Sequence, residues 1–323
     1  MTYAAPDFYP ARWLSGGHRQ TIWAAFLAPR PKLSLRREIW STPDGDRIAV
    51  DCLDAPPGAP VVTLFHGLES SSSGHYAAPL AALLRARGWR GYLINFRGCG
   101  GMDNLLPRAY HAGDSAEIAW ILARIANAYP TVPRLAVGVS LGGNALLKYL
   151  GEAGGDARAI LQGAAAVCAP ANLVATAAAL EHGLGILYSR YFLMQLKRSA
   201  RRYQRLHPGM ADWKKVRAAA DLHSFDEWFT APVHGFSGAD RYWQQASAEP
   251  WLQDILVPTL LLNSEDDPIV PISAIRAASL SPAITPCFPA HGGHVGFVDG
   301  PFPGRLQWLP HALLAYFESV VQP

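Results

Sequence analysis

Gly138-Val139-Ser140-Leu141-Gly142 decides how this chain is read. It follows an apolar run, Arg134-Leu135-Ala136-Val137, and precedes a helix-forming stretch, Asn144-Ala145-Leu146-Leu147-Lys148-Tyr149-Leu150. A serine in G-x-S-x-G between a strand and a helix reads as a nucleophile elbow. So tight a turn strains the serine backbone, and the flanking glycines keep Cβ atoms out of the bend. The hydroxyl is lifted above the sheet, and the N-terminus of the next helix favours negative charge there. The pattern also arises by chance, so its meaning depends on its context and on partners for Ser140.

The context is regular. Residues 33–40 and 47–53 read as an antiparallel pair joined by the turn Pro43-Asp44-Gly45-Asp46. Residues 60–65 read as a fully buried strand, followed by a helix over 76–87 and a strand over 91–96. A helix over 114–128, a strand over 135–139, a helix over 141–152 and a strand over 163–168 come next. After a long interval come a strand over 259–263, a helix over 272–280, a strand over 284–288 and a helix over 309–320. Alternating strands and helices predict an α/β fold with a mostly parallel central sheet flanked by helices. Residues 171–254 carry no strand signal and are helical, aromatic and basic. They read as a helical cap over the carboxyl edge of the sheet, inserted into a core of residues 1–170 and 255–323.

Composition narrows the function classes. The chain has 323 residues, 50% hydrophobic and 16% charged, enough for a large core. A net charge of +3 argues against a nucleic-acid partner. Cys52, Cys99, Cys168 and Cys287 lie far apart with no C-x-x-C pair, which predicts buried free thiols. Met1-Thr2-Tyr3-Ala4-Ala5-Pro6-Asp7 lacks the basic and apolar regions of a signal peptide. No apolar run reaches the ~20 residues of a membrane span, so a cytoplasmic protein is the expectation.

Ser140 needs a base, an orienting acid and an oxyanion hole. In folds with such an elbow the acid and then the base follow the serine, each on a loop after a strand. After 259–263 the chain reads Ser264-Glu265-Asp266-Asp267-Pro268-Ile269-Val270-Pro271. Asp267 fits the D-x-x-x-P spacing with Pro271, and Asp266 is the runner-up. Asp266 and Glu265 are otherwise read as turn carboxylates bonding nearby amides. After the last strand comes His291-Gly292-Gly293-His294-Val295-Gly296-Phe297. The glycines around His294 suit a tight loop presenting its imidazole, so His294 is preferred to His291. The two histidines lack an evident third ligand, so no metal site is expected. The oxyanion donors are expected to be the amides of Leu141, next to the serine, and Leu68, in the loop Phe65-His66-Gly67-Leu68. His66 is then structural, and Ser70-Ser71-Ser72-Ser73-Gly74 a flexible loop.

With these residues in place, the chain resembles the YheT-type branch of the α/β-hydrolases nearly end to end. The resemblance is carried by His66-Gly67-Leu68-Glu69, Asn95-Phe96-Arg97-Gly98-Cys99-Gly100, Tyr110-His111-Ala112-Gly113-Asp114, the elbow, Asp266-Asp267-Pro268 and the His291 loop. Gly16-Gly17-His18-Arg19-Gln20-Thr21-Ile22-Trp23 and Ala231-Pro232-Val233-His234-Gly235-Phe236 also resemble it. The resemblance implies an α/β-hydrolase fold and a charge relay that falls by position on Ser140, Asp267 and His294. Eukaryotic members of the branch often carry an N-terminal membrane anchor and act on lipid esters; no such anchor is legible here.

The expected activity is hydrolysis of small-molecule carboxylic esters, of short- to medium-chain acyl or lipid-like type, through an acyl-enzyme and without a cofactor. The rivals are a thioesterase or acyltransferase on the same residues and, ranked lower, a non-catalytic binding protein of the same fold. Leu184, Leu187, Tyr188, Tyr191, Phe192 and Met194 are candidates for an acyl pocket, though helix packing explains most of them. Lys197, Arg198, Arg201, Arg202 and Arg205 form a basic stripe, with Lys214, Lys215 and Arg217 beyond. Such a run is most often a solvated face; the alternative is weak peripheral contact with anionic lipid.

Overall fold

The computed structural model describes residues 5–321. Residues 1–4, part of the stretch read above for a signal peptide, lie outside them. Eight strands form one sheet: β1 (Arg36–Ser41), β2 (Arg47–Leu53), β3 (Val61–Phe65), β4 (Arg90–Ile94), β5 (Arg134–Val139), β6 (Gly163–Val167), β7 (Thr259–Leu262) and β8 (Ile284–Cys287). Their order is β1-β2-β4-β3-β5-β6-β7-β8. β2 runs antiparallel to both of its neighbours, and all the other pairs are parallel. Every strand expected from the sequence is present. β1 starts later than predicted because its register pairs Arg36 with Cys52. Leu33 and Ser34 would need partners beyond Leu53, where β2 ends and the chain runs into Pro56-Pro57-Gly58.

β3, β5 and β6 are buried along their whole length and β4 at every residue but Arg90, as expected of strands covered on both faces. One face packs on α3 (Ser115–Ala128) and α4 (Leu141–Ala153), through Ile118, Ile121, Leu146 and Leu150. The other packs on α2 (Ala77–Ala86) and the final helix (Trp308–Val321), through Leu80, Leu84, Leu313 and Phe317. Two further helices, α1 (Gly17–Phe26) and α5 (Gly155–Ile160), were not anticipated.

Between β6 and β7 the chain is helical throughout. It forms α6 (Leu173–Leu180), α7 (Gly185–Leu206), α8 (Trp213–Ala218), α9 (Leu222–Phe225), a π-turn (Asp226–Thr230), α10 (Ala231–His234), α11 (Ala239–Ala246) and a 3-10 turn (Glu249–Asp254). Asn144, buried in α4, ties this stretch to the sheet helices. Its Nδ2 donates to the carbonyls of Ala112 and Ala246 at 2.8 Å, and its Oδ1 accepts from the Ala248 amide at 2.9 Å. After β7 the helix α12 (Ile272–Ala277) stops short of the predicted 280, because the backbone turns extended at Ala278, with ψ 145°. The final helix is α13. No helix among the described residues is long and apolar enough to cross a membrane. All four cysteines are free thiols.

The Asn95-Phe96-Arg97-Gly98-Cys99 stretch carries a structural node. The Arg97 side chain is 3% exposed and donates to Glu117 of α3 at 2.5 Å, Asp44 at 3.0 Å and Asp46 at 3.3 Å. Asp46 also accepts from the amides of Arg47 and Leu105, both at 2.8 Å. One guanidinium thus fastens the β1–β2 turn, the loop after β4 and the start of α3. Replacing Arg97 with Met leaves the buried Asp46 carboxylate without its cation and takes the donor from Glu117, which burial already raises to about 7, an imbalance that costs about 3–5 kcal/mol. We expect R97M to lower the denaturant midpoint accordingly at neutral pH with an unchanged slope; a loss within experimental error would contradict the role assigned to this node.

Candidate active site

β5 ends in the middle of the sheet, between β3 and β6, and Ser140 takes the turn into α4 with φ 51° and ψ −120°. A Cβ on Gly138 would lie 2.5 Å from the Gly142 carbonyl oxygen, and one on Gly142 would lie 2.5 Å from that of His66. The glycines of the elbow are therefore steric necessities. The β3 loop approaches as closely from the side, where a Cβ on Gly67 would meet that of Ser140 at 3.2 Å.

The loops after β7 and β8 bring an acid and a base to this serine. His294 Nε2 lies 3.0 Å from Ser140 Oγ, and His294 Nδ1 lies 2.9 Å from Asp267 Oδ2. A carboxylate only accepts, so Nδ1 carries the proton and Nε2 faces the serine hydroxyl as acceptor. The Asp267 side chain is fully buried. Its Oδ1 also accepts from the amides of Ile269 and Val270, at 2.8 and 3.0 Å. The competing acids lie elsewhere. Asp266 accepts from the Gly293 amide at 2.8 Å and faces His291 at 3.3 Å, while Glu265 pairs with Arg276 on the surface.

Leu141 opens α4, and Leu68 sits in the loop after β3. Among the described residues neither amide donates to a protein acceptor. That loop is held by buried groups. His66 Nε2 accepts from the Phe96 amide at 3.1 Å, so its Nδ1 donates to the Gly67 carbonyl at 2.7 Å. Burial pushes this imidazole down to about 4, so it stays neutral and keeps that tautomer. Gly67 N donates to the Tyr76 hydroxyl at 2.9 Å. Glu69 takes a positive φ of 50°, its amide donates to the Tyr110 hydroxyl at 2.7 Å, and its carboxylate accepts from Tyr110 and from Ser199 of α7. Burial raises the Glu69 carboxyl, against the pull of those hydrogen bonds.

The unanticipated helix α1 lies directly on the acid and base loops. The Thr21 hydroxyl donates to the Gly17 carbonyl at 2.7 Å and accepts from the His294 amide at 2.8 Å. Gln20, fully buried, donates to the carbonyls of Leu14 and Val298 and accepts from the Val298 amide. A Cβ on Gly17 would sit 1.8 Å from the Asp266 carbonyl oxygen. α1 buries Gly17, Gln20, Thr21 and Ala24. That stripe has helical spacing but contains no large apolar residue, so hydrophobic periodicity misses it; the glycine pair opening the segment was the available signal.

Cys168, also at a positive φ, places its thiol beneath these loops, within 4.8 Å of ligand atoms on Asp267 and His294. The acid and base bond each other through those atoms, and burial holds the thiol protonated, so this trio is poorly suited to an ion. Much of the basic stripe is engaged within the fold. Lys197 donates to the carbonyls of Arg217 and Ala219, Arg202 pairs with Asp103, and Lys215 lies 3.9 Å over the Trp228 ring.

Two cavities meet at Ser140. A cleft of about 900 Å³ reaches it beside His294, walled by α1 and α7 through Phe26, Leu184, Tyr188 and Phe192. A smaller cavity of about 150 Å³ reaches it beside Leu141 and runs under α6, along Leu173, Leu180 and Phe225.

Residues 60–301 match the family described as the alpha/beta hydrolase fold. YheT of Escherichia coli (strain K12) is 34% identical, covering 98% of this chain and 95% of that protein. The human phospholipase ABHD3 is 29% identical, covering 98% of this chain and 79% of its own length. Among solved structures, the Pyrococcus furiosus esterase Pf2001 aligns with a TM-score of 0.58 at 16% identity, over 91% of this chain and all of the other; this likeness concerns the fold. The mostly parallel sheet with a serine elbow at its centre and the end-to-end similarity to YheT place this chain in the alpha/beta hydrolase family, in its YheT-type branch.

Proposed function

We propose that the protein hydrolyses carboxylic esters, of short- to medium-chain acyl or lipid-like type, through a Ser140-His294-Asp267 charge relay. The observation that carries this reading is the hydrogen-bonded line from Ser140 Oγ through both ring nitrogens of His294 to a buried carboxylate. Two relatives support the chemistry: YheT bears an esterase designation and human ABHD3 is named a phospholipase. His294 Nε2 takes the hydroxyl proton as Ser140 Oγ bonds to the ester carbonyl carbon. Asp267 stabilises the resulting imidazolium and holds the ring. The oxyanion lies between the Leu68 and Leu141 amides, which are suited to the role because no protein acceptor engages them. Collapse breaks the bond to the alcohol oxygen, which leaves with the proton from Nε2. Water, deprotonated by the same nitrogen, then attacks the acyl-enzyme and releases acid and free serine. The helical stretch 171–254 acts as the cap, since α7 walls the cleft that reaches Ser140.

Ser140→Ala should lower p-nitrophenyl butyrate turnover by about 10⁴-fold or more, with residual catalysis from the oxyanion donors and binding. Fluorophosphonate labelling should vanish with it. Near-normal turnover in that variant would remove Ser140 from the mechanism.

Thr21 is proposed as a positioning residue, acting on the His294 backbone. Thr21→Val leaves a buried amide without its acceptor, a loss of about 1–3 kcal/mol. kcat should fall about tenfold, near 1.4 kcal/mol of barrier, with little change in KM, and Thr21→Ser should restore it. A variant that melts earlier but keeps its kcat would reduce Thr21 to a structural role.

A further inference from the structure

The two cavities at Ser140 differ in the groups they share with it, and the reaction assigns them. A leaving alcohol must depart with the proton held on His294 Nε2, so its oxygen lies on the imidazole side of the tetrahedral carbon. The cleft of about 900 Å³ contains both Ser140 and His294. The cavity of about 150 Å³ contains Ser140, Leu68 and Leu141 but not His294. With the carbonyl oxygen between the two amides, the substituent directed away from His294 enters the smaller cavity. Its walls are mainly apolar side chains of the helical insertion, among them Leu173, Ala177, Leu180 and Phe225. Phe192, Ser199 and Ile269 line both spaces and form the partition.

We propose that the small cavity holds the acyl chain and the large cleft holds the alcohol, so that the preferred substrates join a short acyl group to a bulky alcohol. This rests on the ester-hydrolase reading above and adds the division of the substrate. An apolar cavity of about 150 Å³ is the size that takes up one benzene molecule. The acyl group therefore extends to about six carbons before it meets the wall. The cleft lies near the top of the ~300–1,000 Å³ range of pockets for drug-sized ligands, and its rim exposes Phe26, Leu184 and Leu187. An alcohol as large as a glyceride or an aromatic glycoside has room there.

The test varies each half of the ester separately. Along p-nitrophenyl acetate, butyrate, hexanoate, octanoate and decanoate, kcat/KM should rise about three- to fourfold per methylene, the worth of one buried methylene. It should then fall at least tenfold between hexanoate and octanoate. Along butyrate esters of methanol, hexanol and dodecanol no such break should appear. Leu180→Ala, which lengthens the cavity, should move the break to octanoate or beyond. Ala177→Leu, which fills it from α6, should cut butyrate and hexanoate turnover at least tenfold and leave acetate unchanged. Ala177→Leu removes no core contact, so it carries the test if the truncation at Leu180 fails to fold. A break in the alcohol series instead of the acyl series overturns the assignment, as does an acyl profile that neither variant moves. Fluorophosphonate labelling of Ser140 tells these failures from a deeper one. Labelled protein with the wrong profile refutes the division of the substrate alone; unlabelled protein without ester turnover refutes the hydrolase reading and this assignment with it.

Discussion

The structure depends on one steric constraint: nothing larger than hydrogen fits between the elbow and the end of β3. Gly138 and Gly142 stand within 2.6 Å, counted from where their Cβ atoms would be, of backbone oxygens in α4 and the β3 loop. That approach places the first turn of α4 beside the loop carrying Leu68, which sets two amides near one hydroxyl. It also forces Ser140 to a positive φ, a strain of order 1–3 kcal/mol for a non-glycine residue. Buried, fully bonded groups on both sides hold this arrangement: Asn144 beneath the elbow, and His66 and Tyr76 around the β3 loop.

Electrostatic order is kept by separating the ionised groups. His66 is held neutral by burial, against the pull of its bond to the Gly67 carbonyl, so it does not compete with His294 for the proton. The buried ion cluster around Arg97 is built from Asp44, Asp46 and Glu117 and includes none of the reacting groups. Its contribution is rigidity of the surface on which the Tyr110 loop, and through it Glu69, comes to rest.

What the sequence disclosed follows from how each part is stabilised. β3 to β6 are buried apolar runs and stand out in any hydrophobic reading, and the order of Ser140, Asp267 and His294 follows from which strand each one trails. The D-x-x-x-P pattern with Pro271 favours Asp267 over Asp266, and it is Asp267 that bonds the His294 ring. α1 escaped because its buried stripe is Gly17, Gln20, Thr21 and Ala24. Those residues fill a space between loops and pair with backbone groups; they do not pack against a hydrophobic sheet. The cavities were not legible either. Leu184, Tyr188 and Phe192 line the larger cleft and Phe192 the smaller one too, but which of these aromatic and aliphatic residues face empty space depends on how helices from separate stretches cross.

The bond between Thr21 and the His294 amide spans 273 positions of chain. The serine, its glycines and the β3 loop are complete once β6 has formed, yet the imidazole sits on the loop after β8, and that loop settles against α1, which precedes every strand of the sheet. A protein of this design has no base beside its serine until the loop after β8 is in place. The segments that carry α1 and His294 therefore act together: proteolytic loss of either one disarms the centre even though the sheet residues beneath the serine survive.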